Sequence, residues 1–311
     1  MKILFMGTPD FAAQALRAIH ESGEQIVGVV TTPDKAKGRG MVLTPSDVKK
    51  YALEAGLDVY QPVTLKDGAF LPTLEALSPE LIVVVAYGKI LPQYVLEFPK
   101  HGCINAHASI LPKYRGAAPI QRAIIDGESE TGVSVMQMDA GLDTGDVILV
   151  EKIDILPEDN FEAVHDKLAI AGSTGLLKAI DLFKSGKATR TKQPDNFTYA
   201  EKITKDDCVI DFSKSATEVH NQIRGLSPIP LSFTKTADGK LLKVVSAHIS
   251  EKEAGACTQV GQVVALDSSI HVACSEGVIA FDVIVPEGKG KMNAKDYING
   301  RKIAVGDIFK R

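Results

Sequence analysis

The chain has 311 residues, 45% of them hydrophobic, and carries 35 Lys and Arg against 39 Asp and Glu. That length and balance fit two moderate cores, and they exclude a fibre, a disordered chain and a protein that coats nucleic acid through overall charge. The N-terminal MKILFMGTPDF meets a Gly-Thr-Pro turn too soon for a signal sequence or a membrane span, so a cytoplasmic protein is expected.

Short apolar runs alternate with helical patterns through the first half. They are KILFMG, a helix opening at Pro9 and reaching about residue 22, QIVGVVTTP, a helix over about 46–55, LIVVVAYG, CINAHAS and an amphipathic stretch at 118–125. This alternation predicts a mostly parallel sheet with helices on both faces. VSVMQM and VILVEKI, separated by a turn, read as antiparallel additions. A helical period over 158–185 stops at Ser185-Gly186, and residues 186–207 then lack apolar periodicity and read as a surface linker. Beyond it, CVIDF, LSFTKTADGKLLKVVSAHI with a turn at Asp238-Gly239, TQVGQVVAL, SSIHVAC and GVIAFDVIVP predict antiparallel strands closed into a small barrel. A helix over 216–226 interrupts them and a short one in AKDYINGR follows. The expected fold class is α/β: a Rossmann-like, mostly parallel sheet domain over 1–186, a linker over 187–207 and an OB-like small β-barrel domain over 208–311.

Several chemistries find no motif here. The first strand-to-helix turn is Gly7-Thr8-Pro9 without G-x-G-x-x-G, and neither a Walker A run nor a G-x-S-x-G elbow occurs. Hydride transfer from a nicotinamide and Ser-His-Asp hydrolysis are therefore disfavoured. Cys103, Cys208, Cys257 and Cys274 are scattered without a C-x-x-C pair, which reads as reduced, mostly core thiols rather than a zinc site or a disulfide framework.

In NAHASILP, Asn105 and His107 stand two apart on one strand, so they share a face while Ile104, Ala106 and Ala108 take the other. They lie at the strand's C-terminal end, where open α/β sheets bind ligands. A core pair satisfied by backbone groups is the blander alternative. Asp139 to Asp146 follow VSVMQM; if that strand neighbours the one bearing His107, a carboxylate reaches the imidazole and orients it. Solvated acids in an Asx-turn are the alternative, and a divalent metal is the weaker option, so no metal is expected. An amide, an imidazole and a carboxylate without a Ser or Cys nucleophile suit attack by a substrate amine on a carbonyl donor. The amide and imidazolium would hold the oxyanion while the acid helps move the amine proton. Spacing alone names neither the acyl group nor the acceptor.

The runs VVVAYGKILP, CINAHASILPKYRGAAPIQRAI and GLDTGDVI together resemble the 10-formyltetrahydrofolate-dependent formyltransferases. The resemblance implies a catalytic triad of Asn105, His107 and Asp143. It also implies folate-site walls at Tyr87, Gly88, Lys89, Ile90 and Leu91 and at Ser109, Ile110, Leu111 and Pro112, through backbone contacts to the pterin. From FMGTPDFA to near the C-terminus, the chain is most similar to the branch that formylates initiator methionyl-tRNA. The basic stretch TTPDKAKGRGMVLTPSDVKKYA, the linker with its extra C-terminal domain, and GLSPIPLSFT carry that likeness. The implied donor is 10-formyltetrahydrofolate and the implied acceptor is initiator methionyl-tRNA.

Between residues 35 and 50, Lys35, Lys37, Arg39, Lys49 and Lys50 face Asp47 alone; between 184 and 205, six basic residues face two acids. Acceptor contacts are accordingly expected at Lys35, Lys37, Arg39, Lys187, Arg190 and Lys192, with Arg39 matching an arginine that the family wedges against the tRNA. A monomer away from membranes is the expectation. Two features depart from the family. Residues 206–311 hold thirteen Lys and Arg against thirteen Asp and Glu, where members often have a basic domain. Ile229 stands at the usual tryptophan of the GLSPxP segment, which removes any aromatic stacking there. An amino sugar nucleotide formyltransferase would have no use for the basic stretch, and an RNA-binding protein on an inactive sheet would not need Asn105, His107 and Asp143 together.

Overall fold

The structure is a computed structural model that describes residues 1–37, 41–255 and 257–311. The chain runs β1 (Lys2–Gly7), α1 (Asp10–Glu21), β2 (Gln25–Val30), β3 (Lys35–Lys37), β4 (Val42–Thr44), α2 (Asp47–Glu54), β5 (Val59–Tyr60), α3 (Leu71–Leu77), β6 (Leu81–Val85), α4 (Gln93–Leu96) and β7 (Cys103–His107). It continues through β8 (Arg115–Gly116), α5 (Pro119–Ile125), β9 (Glu130–Gln137), β10 (Val147–Asp154), α6 (Phe161–Lys184) and β11 (Tyr199–Ala200). The remainder holds α7 (Ala216–Gly225), β12 (Ser232–Lys235), β13 (Leu241–Ile249), β14 (Val263–Leu266), β15 (Ile270–Ala273), β16 (Val278–Pro286), β17 (Met292–Asn293) and α8 (Ala294–Asn299). Two compact units share these elements. One comprises Met1–Gly116, Glu130–Asp154 and His165–Tyr199, the other Ala117–Ser129, Ile155–Val164 and Ala200–Arg311.

The first unit is built on a sheet of order β10-β9-β7-β6-β1-β2-β5. Strands β7, β6, β1, β2 and β5 run parallel, and β9 and β10 add antiparallel at one edge, as the apolar pattern predicts. The apolar runs of β1 and β6 are buried almost throughout, the composition of strands covered by helices on two sides. Helix α1 opens after Pro9 with Asp10 in its first turn and buries Phe11, Ala12, Ala15, Leu16 and Ile19, a single face of a 3.6-residue period. Just past β1, the Thr8 hydroxyl donates to the Tyr87 carbonyl just past β6 at 3.2 Å, which ties two loops together at the sheet's C-terminal edge.

Register decides where the site can form. Asn105 and His107 pair with Met136 and Ser134 of β9. Because β9 is antiparallel to β7, it ends beside Ile104. The loop of residues 138–146 must therefore fold back along the sheet to bring a carboxylate to His107.

The basic stretch after β2 is more than a charged loop. Strands β3 and β4 pair as an antiparallel hairpin, and its second arm leaves Met41, Val42 and Leu43 71%, 66% and 70% exposed. Residues 186–207, expected to run over the surface, are pinned in part. Thr191 and Val147 exchange both backbone hydrogen bonds at 2.8 Å, and Gln193 and Ala200 are buried. Among the described residues, no helix is long and apolar enough to cross a membrane.

The second unit carries a sheet of order β12-β13-β16-β15-β14, with β17 on β16. The C-terminal residues bridge its edges, since Lys310 pairs with Lys235 beside β12 and Ile308 pairs with Gln262 beside β14. Strand edges left open would recruit other strands, and this closure makes the small barrel. Helix α7 begins with a reciprocal capping box between Ser215 and Glu218, and its Val219 and Ile223 enter a core with Phe212, Phe281 and Phe309. The CVIDF run, expected as a strand, is reduced to one parallel bridge from Val209 to Phe233, and a 3₁₀ turn at Asp206–Cys208 runs into its first residue. The Asp207 carboxylate shapes that preceding turn by accepting from the Thr204 amide and hydroxyl at 2.7 Å each.

Asp207 also pairs with Arg122 of α5 at 2.9 Å. Burial opposes its ionisation, yet the Arg122 and Thr204 hydrogen bonds outweigh this and hold the carboxyl at about 2. The folded value lies below the unfolded one of about 4. Its stabilising contribution is therefore complete above pH 4 and is lost as pH falls towards 2. Arg122→Leu is expected to cost about 1 kcal/mol at pH 7 and little near pH 2, measured by urea unfolding at both pH values. Equal losses at the two would contradict the pairing.

Candidate active site

His107 ends β7 and is 6% exposed. Its Nε2 lies 2.8 Å from the Tyr114 carbonyl oxygen, which can only accept, so Nε2 carries a proton and donates. Its Nδ1 faces Asp143 Oδ2 at 3.6 Å. The fold-back of the loop after β9 thus brings together two of the three residues singled out for catalysis. Asn105, on the same face of β7, is half-buried, and its carboxamide has no hydrogen-bond partner among the described residues. It is a donor held ready beside the imidazole.

Strained backbone places both acceptors. Tyr114 and Asp143 have φ of 62° and 53°, left-handed values that non-glycine residues rarely adopt. The Asp143 carboxylate accepts from the Gly116 amide at 2.8 Å through Oδ2, the same oxygen that faces His107. At Gly145 any Cβ would collide with the Gln137 carbonyl, so the D-T-G-D loop requires glycine there. Asp139 turns the other way: its Oδ1 accepts from the Gly141 amide and the Thr144 hydroxyl, so it shapes the loop without reaching His107.

The two folate walls expected from resemblance differ in what they leave open. In 109–112 most backbone groups are already engaged. Ser109 N donates to His107 O, Ser134 Oγ donates to Ser109 O and accepts from Leu111 N, and Pro112 O accepts from Thr198 N. Among the described residues, the backbone of 88–91 makes no hydrogen bond within the protein. Beside it, Tyr87 and Leu91 join an apolar cluster with Val95 and Cys103, while Ile90 is exposed and Lys89 donates to the carbonyls of Pro62 and Val63. The Tyr87 hydroxyl is buried there without a partner, and burial pushes it up to about 12.

Burial pushes the Cys103 thiol up to about 12, so it is not a thiolate at neutral pH. Among the described residues, no three His, Cys, Asp or Glu side chains cluster to hold a metal. A half-buried amide donor, an oriented imidazole and a carboxylate can stabilise a developing oxyanion and shuttle a proton, the set that direct acyl transfer needs.

Of the basic residues expected to meet the acceptor, Lys35 and Lys37 lie on β3, and Lys187, Arg190 and Lys192 lie on the segment after α6, all three exposed. Arg39 lies outside the described residues. Lys49 is not available in the same way, because its ammonium is held by Asp34 at 2.7 Å and Gln61 at 2.8 Å. Sequence reasoning missed Arg115 and Gln193, both buried beside Asp143, and Ser134, which braces the 109–112 wall. A lone Gln in an aperiodic segment carries no signal by spacing.

The chain also resembles known proteins over most of its length. Residues 1–180 match the formyl transferase family, and residues 202–302 match the formyl transferase C-terminal domain. A methionyl-tRNA formyltransferase of Thermodesulfovibrio yellowstonii is 44% identical over 304 residues, covering 98% of this chain and 97% of its own. One of Clostridium novyi is 45% identical over 316 residues and 100% of both chains. The crystal structure of an N-formyltransferase from Helicobacter canadensis, in complex with folinic acid and dTDP-3-aminofucose, superposes with a TM-score of 0.69 at 21% identity, covering 90% of this chain and 99% of that one. That likeness speaks to the fold; the full-length sequence matches go further, and by them the chain belongs to the formyl transferase family, in its methionyl-tRNA formyltransferase branch.

Proposed function

We propose that this chain transfers the formyl group of 10-formyltetrahydrofolate to the free amino group of initiator methionyl-tRNA in the cytoplasm. The observation that carries the reading is the unpartnered Asn105 carboxamide beside the His107–Asp143 pair, in a chain matching methionyl-tRNA formyltransferases over nearly its whole length. The domain reading is a catalytic region over 1–186, a linker over 187–207 and a tRNA-binding barrel over 208–311, supported by the two matched stretches.

The residues present fit a folate donor. A pterin edge needs paired backbone donors and acceptors next to an apolar wall, and the open backbone of 88–91 against Leu91 and Val95 offers both. Residues 109–112, whose backbone is largely engaged, act as a rigid second wall rather than a hydrogen-bonding edge. Asn105 donates its amide N–H to the formyl oxygen as negative charge develops there, and His107 adds a second N–H. Because Nε2 is bonded to the Tyr114 carbonyl, His107 exchanges that partner for the formyl oxygen only when the substrate is in place. Asp143 orients the ring and helps pass the proton lost by the attacking amine to N10 of tetrahydrofolate, which leaves as the N10–formyl bond breaks and the new amide forms. That amine belongs to an aminoacyl ester and is partly neutral near pH 7, so positioning is the larger part of its activation.

For the acceptor, Lys35 and Lys37 of β3 in the hairpin, Arg39 of the same basic stretch of sequence, and Lys187, Arg190 and Lys192 beyond α6 supply phosphate contacts. The exposed Met41, Val42 and Leu43 give the same hairpin an apolar surface. With a neutral barrel, these two basic stretches carry most of the electrostatic attraction.

The reading is tested by transfer of labelled formyl from 10-formyltetrahydrofolate to initiator methionyl-tRNA, elongator methionyl-tRNA and an amino sugar nucleotide. Formylation of the initiator alone is expected; formylation of the sugar alone would keep the site chemistry and overturn the substrate. His107→Ala is expected to lower kcat by at least about a thousandfold while folate binding, followed by fluorescence titration, stays nearly intact. Arg39→Ala is expected to raise the KM for tRNA about tenfold without changing the thermal midpoint. Unchanged tRNA kinetics in that variant would remove the hairpin from the interface.

A further inference from the structure

Gln193 belongs to the stretch beyond the matched N-terminal region, yet it is only 6% exposed and touches the loop that carries Asp143. Its neighbour is Arg115, also 6% exposed, whose guanidinium has no carboxylate partner among the described residues. Arg115 Nε and Nη2 both donate to Gln193 Oε1, at 3.1 and 2.7 Å, and the guanidinium lies over the Phe197 ring at 4.5 Å from its centroid. A guanidinium has no acceptor, so the amide oxygen must face it and the amide nitrogen must point away. That nitrogen donates to the carbonyls of Asp143 at 2.9 Å and Gly145 at 2.7 Å. The reverse amide orientation would set N–H against N–H and oxygen against two carbonyls, so Arg115 fixes which way Gln193 points.

The two carbonyls that Gln193 holds bracket Thr144, in the turn where Asp143 sits at a φ of 53°. A strained residue keeps such a conformation only where its surroundings over-determine it. Here the hold comes from both sides. Arg115 grips the backbone of Asp143 through Gln193, and the next residue, Gly116, donates its amide to the Asp143 carboxylate at 2.8 Å. The Asp143 carboxylate then faces His107 Nδ1 at 3.6 Å, a separation at which a small shift of the loop would change the interaction strongly.

We propose that Gln193, oriented by Arg115, is a positioning residue that sets Asp143 against His107, which makes the segment around 193 a working part of the active site. The inference rests on the reading of Asn105, His107 and Asp143 as the catalytic set. Gln193 touches none of the reacting atoms and acts through Asp143 alone.

Gln193→Glu in the full chain separates this role from simple support of the fold. The carboxylate keeps the shape and strengthens the bond to Arg115, but it replaces the N–H donors with an oxygen facing two carbonyls. We expect kcat to fall about tenfold to a hundredfold, the KM for both substrates to stay within about twofold, and the thermal midpoint to hold. If Gln193→Glu does not fold as the wild type, Gln193→Met, which deletes both arms at similar volume, is read by the same criteria. Asp143→Asn is measured beside it. If Gln193 acts through Asp143, the double variant is no slower than Asp143→Asn alone, whereas independent structural damage would multiply the two losses. Wild-type kcat in a folded Gln193 variant, with Asp143→Asn impaired, overturns the inference alone. Full activity of Asp143→Asn overturns the catalytic reading on which it rests.

Discussion

His107 has an oxygen acceptor at each ring nitrogen, the Tyr114 carbonyl at 2.8 Å and the Asp143 carboxylate at 3.6 Å, and both acceptors come from residues with left-handed backbone. Left-handed non-glycine residues are costly, of order 1–3 kcal/mol each, so a site built on two of them depends on what braces them. The bracing is local and polar. The Tyr114 amide is held by the Thr198 hydroxyl at 2.9 Å, Arg115 N by Thr198 O, and Asp143 by Gln193 and Gly116. Segments distant in sequence, around 115, 143 and 193–198, thus form one hydrogen-bonded frame around a single imidazole. The parallel sheet supplies the platform, and this frame supplies the aim.

Much of the platform is legible in the sequence because it obeys simple periods. Apolar runs in β1 and β6, the helical face of α1, and the odd-even placement of Asn105 and His107 follow from geometry that any sheet imposes. The likeness of the HASILP and D-T-G-D runs to a family then selects Asp143 among the three acids of that loop, Asp139, Asp143 and Asp146. The fold adds the physical reason: Asp139 is consumed by Thr144 and Gly141, whereas Asp143 alone is drawn to Gly116 and His107.

What the sequence conceals is contact that no period encodes. Gln193 meets Asp143 fifty residues upstream, from a stretch whose composition reads as a linker. The CVIDF run reads as a strand, but it keeps one bridge only, behind a turn that Asp207 and Thr204 close just upstream. The basic stretch after β2 reads as charge alone, while the fold makes it a hairpin whose exposed arm is apolar. In each case, side-chain hydrogen bonding or a pairing partner elsewhere overrides the local pattern. The two expected folate walls look alike in sequence, and only the hydrogen bonds of the folded chain show that 88–91 keeps its backbone open while 109–112 does not.

In the proposed reaction the Asn105 amide is the donor that meets the formyl oxygen, next to an apolar wall edged by the backbone of 88–91. A crystal structure of the chain with a non-transferable formyl-folate analogue tests it most directly. The expected result is Asn105 Nδ2 at about 3 Å from the formyl oxygen, the His107 ring within reach of the same atom, and the pterin edge hydrogen-bonded to residues 88–91. An analogue bound instead in the surface groove lined by Arg17, Tyr51 and Ser173, or with its formyl group turned away from Asn105, would contradict it.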